Sequence, residues 1–153
     1  MDDDYKKIIK ETAREMQEKM DKYGWRVDAL IDPNCETGTG VDIHTHGLEE
    51  NFGHKDLQCA LPVKCLVDEG DETLFSNIIC DIFRKIMAKI KEGQEFKAGK
   101  CYGGILGNDT KIRFLASSDK NGRDMLRVII PDENGKLHKS LIEDSFKPQF
   151  NGI

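Results

Sequence analysis

The chain has no excess of positive charge. Its 23 Lys and Arg residues face 28 Asp and Glu, for a formal net charge of -5, whereas general binding to a phosphate backbone needs a basic surface that releases counterions. Nucleic acid is therefore not expected as a partner. Long hydrophobic runs are missing too. No segment approaches the roughly 20 apolar residues needed to cross a bilayer, and the opening M-D-D-D-Y-K-K lacks the apolar stretch of a secretory signal. These absences lead to the expectation of a cytoplasmic protein with no membrane partner. Cysteine comes in an odd set, Cys35, Cys59, Cys65, Cys80 and Cys101, with no C-x-x-C pair. That pattern suggests neither a disulfide ladder nor a zinc ribbon, and reduced thiols are expected. Repeats, low-complexity tracts and interdomain linkers are also lacking, so the 153 residues are expected to form one domain, 1–153, around one core.

What is present is periodicity. Tyr5, Ile8, Ile9, Met16, Met20 and Tyr23 recur at helical spacing behind Asp2, Asp3 and Asp4, which favour the positive end of a helix dipole, so a first amphipathic helix is predicted from about Asp4 to Lys22. Gly24 stops it, W-R-V-D-A-L-I alternates as a strand, and Asp32 to Gly40 holds the turn formers of a loop. The strongest helix signal is Asp71 to Lys91, where Leu74, Phe75, Ile78, Ile79, Ile82, Phe83, Ile86, Met87 and Ile90 make a continuous stripe. Opposite it, Asp81 and Lys85 stand at ion-pair spacing on a solvated face.

After Gly93 come short extended runs, C-Y-G-G-I-L-G, K-I-R-F-L-A-S and M-L-R-V-I-I, separated by turn residues such as Asn108-Asp109 and Asn121-Gly122. Ser140 with Glu143 has the form of a capping box for a short helix stopped before Pro148. The fold class expected is α+β: an antiparallel sheet of about five or six strands packed with two long amphipathic helices, followed by a short C-terminal tail.

Thr45, Gly47 and Leu48, then Phe52-Gly53-His54, then Leu57 and an apolar strand ending near Pro62, make a pattern. It resembles the opening motif of a small bacterial domain family of unknown function, Y-T-x-G-L followed by F-G-H-P-E-L. Gly93, Phe96 and Gly99 look like that family's glycines after the helix, and Pro131-Asp132 with Gly135 is similar to its late P-D-x-x-G element. The resemblance covers about residues 41 to 137. Three positions depart from it: His44 replaces an aromatic, His46 a small apolar residue, and Lys55 the proline after the family histidine. The resemblance implies a compact cytosolic bacterial domain, and the family has no established activity to carry over.

The residues that point to chemistry cluster between Val41 and Pro62, where His44, His46 and His54 fall close together. Histidine titrates nearest neutral pH and is the commonest metal ligand. If Val41 to His46 is a strand, alternation sets Asp42, His44 and His46 on one face. His54 returns after a short loop as a further nitrogen. Asp42, His44, His46 and His54 are thus candidate ligands of a transition metal such as zinc or non-haem iron. A solvated polar face would give the same D-x-H-x-H pattern, and an imidazole that binds an anion or acts as a general base is a role without metal.

A thiol nucleophile is the next candidate, with Cys59 or Cys65 activated by His54, although Cys59 lies in the apolar run L-Q-C-A-L where a free cysteine usually packs as a small hydrophobe. Gly99-Lys100 is followed by Cys101 rather than Ser or Thr, so it reads as a turn and not a phosphate loop. Two functional classes stay open: a histidine-centred metal or small-ligand site with hydrolytic or acid-base activity on a small polar ligand, and a non-catalytic protein-interaction or immunity-like accessory domain.

Overall fold

The computed structural model describes residues 3–32 and 34–153, with only the backbone of Met16. Asp2 of the acidic start, the Met16 position of the first stripe and Pro33 of the loop lie outside the described residues and side chains. Helix α1 spans Asp3–Tyr23, with Asp3 and Asp4 in its first turn and Lys22 in its last. Gly24, at φ 78°, ends it by donating its N–H to Met20 O at 2.8 Å. The chain continues through β1 (Arg26–Ile31), β2 (Val41–His46), the short helix α2 (Leu48–Phe52), β3 (Asp56–Cys59), the long helix α3 (Glu72–Lys91), β4 (Cys101–Tyr102), β5 (Ile112–Ser118) and β6 (Asp124–Ile129).

The architecture is α+β, a six-stranded sheet with two long helices. Strand order is β1-β2-β3-β6-β5-β4, and every neighbouring pair is antiparallel except β3 and β6, which run parallel with Asp56 opposite Met125 and Gln58 opposite Arg127. The expected antiparallel sheet of five or six strands with two long helices is present, and one parallel seam makes it mixed. Two antiparallel meanders, β1-β2-β3 and β4-β5-β6, meet there, and a parallel junction requires the long crossover that α3 helps to supply.

The core lies between α3 and one face of this sheet. Phe75, Ile79, Ile82, Phe83, Ile86, Met87 and Ile90 are buried along α3, in one cluster with Val41, Ile43, Leu57, Phe114 and Val128 from the strands. Each such side chain contributes about 1.5 to 3 kcal/mol when fully buried. The stripe read from sequence is shorter at its start, since Leu74 is exposed and Ile78 only partly buried. On the solvent side Asp81 pairs with Arg84 at 2.6 Å, not with Lys85.

Two further expectations change. Of the run from Cys101 to Gly107 only Cys101 and Tyr102 pair as strand, because Gly103 and Gly104, the latter at φ 83°, turn the chain away. Among the described residues Ser140 makes no capping hydrogen bond to the turn that follows. The carboxylate of Asp132 instead accepts the N–H groups of Asn134 and Lys136 at one oxygen and of Glu143 at the other, all at 2.9 Å. A 3-10 turn, Asp144–Phe150, then runs through Pro148 rather than stopping before it.

Alternation gives the sheet a second, polar face carrying Asp28, Asp42, His44, His46, Asp56, Gln58 and Arg127. The tail crosses part of it. Gln149 pairs both amide atoms with the backbone of Ile130 at 2.9 Å, and Arg127 donates to the carbonyls of Gln149 and Asn151.

Candidate metal centre

β1 and β2 pair in a register that sets Asp28 opposite His44 and Arg26 opposite His46. All four side chains therefore rise from the polar face of one hairpin, where direct and diagonal cross-strand neighbours are in reach of one another. His44 Nε2 lies 3.0 Å from His46 Nε2, and His46 Nε2 lies 2.9 Å from Asp28 Oδ2. Among the described residues, Asp28, His44 and His46 form the group with metal-ligand character, its donor atoms all within 4.8 Å of one another. Zinc to nitrogen bonds near 2.0 to 2.1 Å put neighbouring donors of a tetrahedral site about 3.3 Å apart, so the two short separations are close to the required edge.

Asp42 is not in that group. It lies behind it, buried at 2% exposure, with Oδ1 3.2 Å from His44 Nδ1 and 3.3 Å from the Gln58 amide nitrogen that donates to it. The Nδ1–H of His44 therefore points at a carboxylate while Nε2 points into the cluster, the arrangement by which an outer carboxylate fixes the tautomer and orientation of a ligating imidazole. The Asp42 hydrogen bond raises the His44 pKa above its ordinary value, with burial acting against it. The hydrogen bond from His46 lowers the Asp28 carboxyl to about 2, against the opposing effect of burial and with the help of the Arg26 guanidinium that also bonds it.

Proton counting shows what the cluster lacks. With Nδ1–H committed to Asp42, neutral His44 has a bare lone pair at Nε2, and Asp28 offers a second lone pair at Oδ2. A single N–H on His46 Nε2 must serve both acceptors. If His44 instead carries both protons, the bare nitrogen of His46 faces the carboxylate oxygen with nothing between them. Either way three donor atoms share one proton. A cation at their centre would satisfy all three, and each side chain keeps 22 to 30% of its surface exposed, which leaves a side open to solvent.

His54 is elsewhere. Its ring is buried, with Nδ1 2.8 Å from Lys55 O and Nε2 accepting the N–H of Phe96 at 3.1 Å. Both nitrogens are spent on backbone groups, so it neither joins the cluster nor serves as a base for a thiol. Cys59 is corrected on the same ground and on its own: burial pushes its thiol up to about 12, and it lies in the core. Cys65, the other thiol considered, is pushed up to about 11 by burial and contacts the Ser145 carbonyl. A groove of about 590 Å³ between Ile31, Val41, Pro62 and Lys64 lies at the opposite end of the hairpin from His46 and touches none of the cluster.

Asp28 is the member of this candidate group that sequence reasoning missed. W-R-V-D-A-L-I reads as a strand, so Asp28 was visible as a strand residue, but the long loop to β2 leaves the register unspecified. Gly47 closes the site's end of the hairpin. At φ 100° it turns the chain into α2, and a Cβ there would stand 2.6 Å from Gly24 O and 2.8 Å from Met20 Cε. No helix among the described residues is long and apolar enough to cross a membrane. No protein-family model, no curated protein and no solved structure matches this chain.

Proposed function

We propose that this domain binds one divalent transition metal of the zinc class through Asp28, His44 and His46, with Asp42 orienting His44. The observation that carries the reading is the convergence of His44 Nε2, His46 Nε2 and Asp28 Oδ2, at 3.0 and 2.9 Å in succession, with a carboxylate on the far nitrogen of His44. Three protein ligands with a solvent-facing side fit the pattern of a site that keeps a position for water or a small polar ligand. A metal in such a place supplies Lewis acidity and lowers the pKa of bound water, the basis of hydrolytic or acid-base chemistry near neutral pH.

Titration calorimetry of the metal-stripped protein with zinc tests this, with elemental analysis of the protein as purified. One equivalent should bind, and His46→Ala and Asp28→Ala should each remove it. Weak binding of many equivalents that these substitutions leave unchanged would overturn the site. A second reading, a non-catalytic interaction domain, draws on the exposed Tyr5, Ile8, Ile9 and Tyr23 of α1 and requires no metal.

A further inference from the structure

Helix α1 does not behave like the amphipathic helix of a packed domain. Among its described side chains only Met20 is partly buried, against Gly47, and all the others are exposed. Tyr5, Ile8, Ile9 and Tyr23 are 52%, 60%, 49% and 51% exposed, yet at 100° per residue they fall on one stripe with Thr12, Ala13 and Met20. In proteins most helical stability comes from packing an amphipathic face against something else, and this face is left open. Roughly half of each tyrosine's 150 to 250 Å² and similar shares of the isoleucines give a strip on the order of 400 Å², within the range of patches that are often functional on a monomer.

The stripe is self-complementary when reversed. From its start it runs Tyr5, then Ile8 and Ile9, then Thr12 and Ala13; from its end it runs Tyr23, then Met20. An antiparallel copy sets Tyr5 beside Tyr23 of the second copy and the isoleucines beside its Met20. That register sets the twofold axis level with Arg14, and Thr12 and Ala13 of the stripe lie within two residues of it. The acidic first turn, Asp3 and Asp4, meets the basic last turn with Lys22, and the two helix dipoles oppose. With the methylene stems of Lys6 and Lys19 covering the edges, the two strips together bury on the order of 1,000 Å², about 500 Å² from each copy, the size of a weak and transient contact.

We propose that α1 is a self-association surface through which two copies of this chain pair antiparallel, related by a twofold axis near Thr12 and Ala13. The contact is isologous and therefore closes at two. It uses nothing of the metal cluster and stands or falls independently of it.

Sedimentation analysis of the full chain tests it, comparing wild type with the Ile8→Glu/Ile9→Glu variant, whose substitutions lie outside the core. Wild type should change from monomer to dimer mass as concentration rises through the high micromolar range, and the variant should stay at half the dimer mass with an unchanged urea midpoint for the body. Orientation is read in a Cys101→Ser background under mild oxidation. Ala13→Cys should cross-link to its own copy at least tenfold faster than Tyr5→Cys. Wild type that stays monomeric up to about 1 mM, where even a Kd of that size would show, overturns the proposal, as does a monomer that co-sediments with anionic vesicles. A dimer indifferent to the double substitution, or equal cross-linking at both positions, overturns it as well.

Discussion

Asp42 Oδ1 lies 3.2 Å from His44 Nδ1, on the side of the ring away from His46 and Asp28. The carboxylate therefore acts on the cluster only through the imidazole. Asp42→Asn should leave the three donor atoms in place while weakening the hold on the His44 tautomer, and outer partners of this kind are worth about 10 to 100-fold in metal affinity. Calorimetric titration of the variant against wild type checks this. An affinity within twofold of wild type would remove the orienting role without touching the site itself.

His54 joins the turn after α2 to the loop after α3 through Lys55 O and the Phe96 N–H. His54→Ala leaves that N–H without its buried acceptor, and the loss should be roughly 1 to 3 kcal/mol in urea melts. Zinc affinity should not change. A variant as stable as wild type but unable to bind metal would reverse the assignment.

Gly47→Ala is expected to be more disruptive than its size suggests. A Cβ at φ 100° is strained by itself, and here it would also press on the Gly24 carbonyl at 2.6 Å. A loss of about 2 kcal/mol or more should appear in the unfolding free energy. Because the peptide follows His46 directly, the same variant should also bind metal more weakly.

The Cys59 thiol, held near 12 by burial against about 8.5 in an unfolded chain, favours its protonated form in the native state. Its contribution to stability is therefore complete below about pH 8.5 and is lost as pH rises toward 12. Urea midpoints of wild type should fall through this alkaline range, and Cys59→Ala should fall less steeply even if it starts lower. Below pH 8.5 an alkylating reagent should modify the exposed Cys101 and spare Cys59 until the protein unfolds.

The parts legible in the sequence are those set by local pattern. The α3 stripe, the β1 strand, the face shared by Asp42, His44 and His46, and the turn at Asn108-Asp109, both at positive φ, each follow from spacing within a few residues. What escaped depends on pairing between distant segments. The parallel seam joins Asp56 to Met125, and nothing in either segment states that partner. Asp28 needed the β1-β2 register. His54 looked available because its spacing brought it near in sequence, whereas its ring turns inward to backbone groups that only the folded loops supply.

The origin of all three donor atoms in a single hairpin has a kinetic meaning. Asp28, His44 and His46 are complete as soon as β1 finds β2, a contact of short sequence separation, while the β3-β6 seam closes a much longer stretch of chain and must come at greater entropic cost. Metal bound at this hairpin would stabilise an early structure as much as the finished one. It should then accelerate refolding, a signature absent from ions that bind only after the two meanders have met.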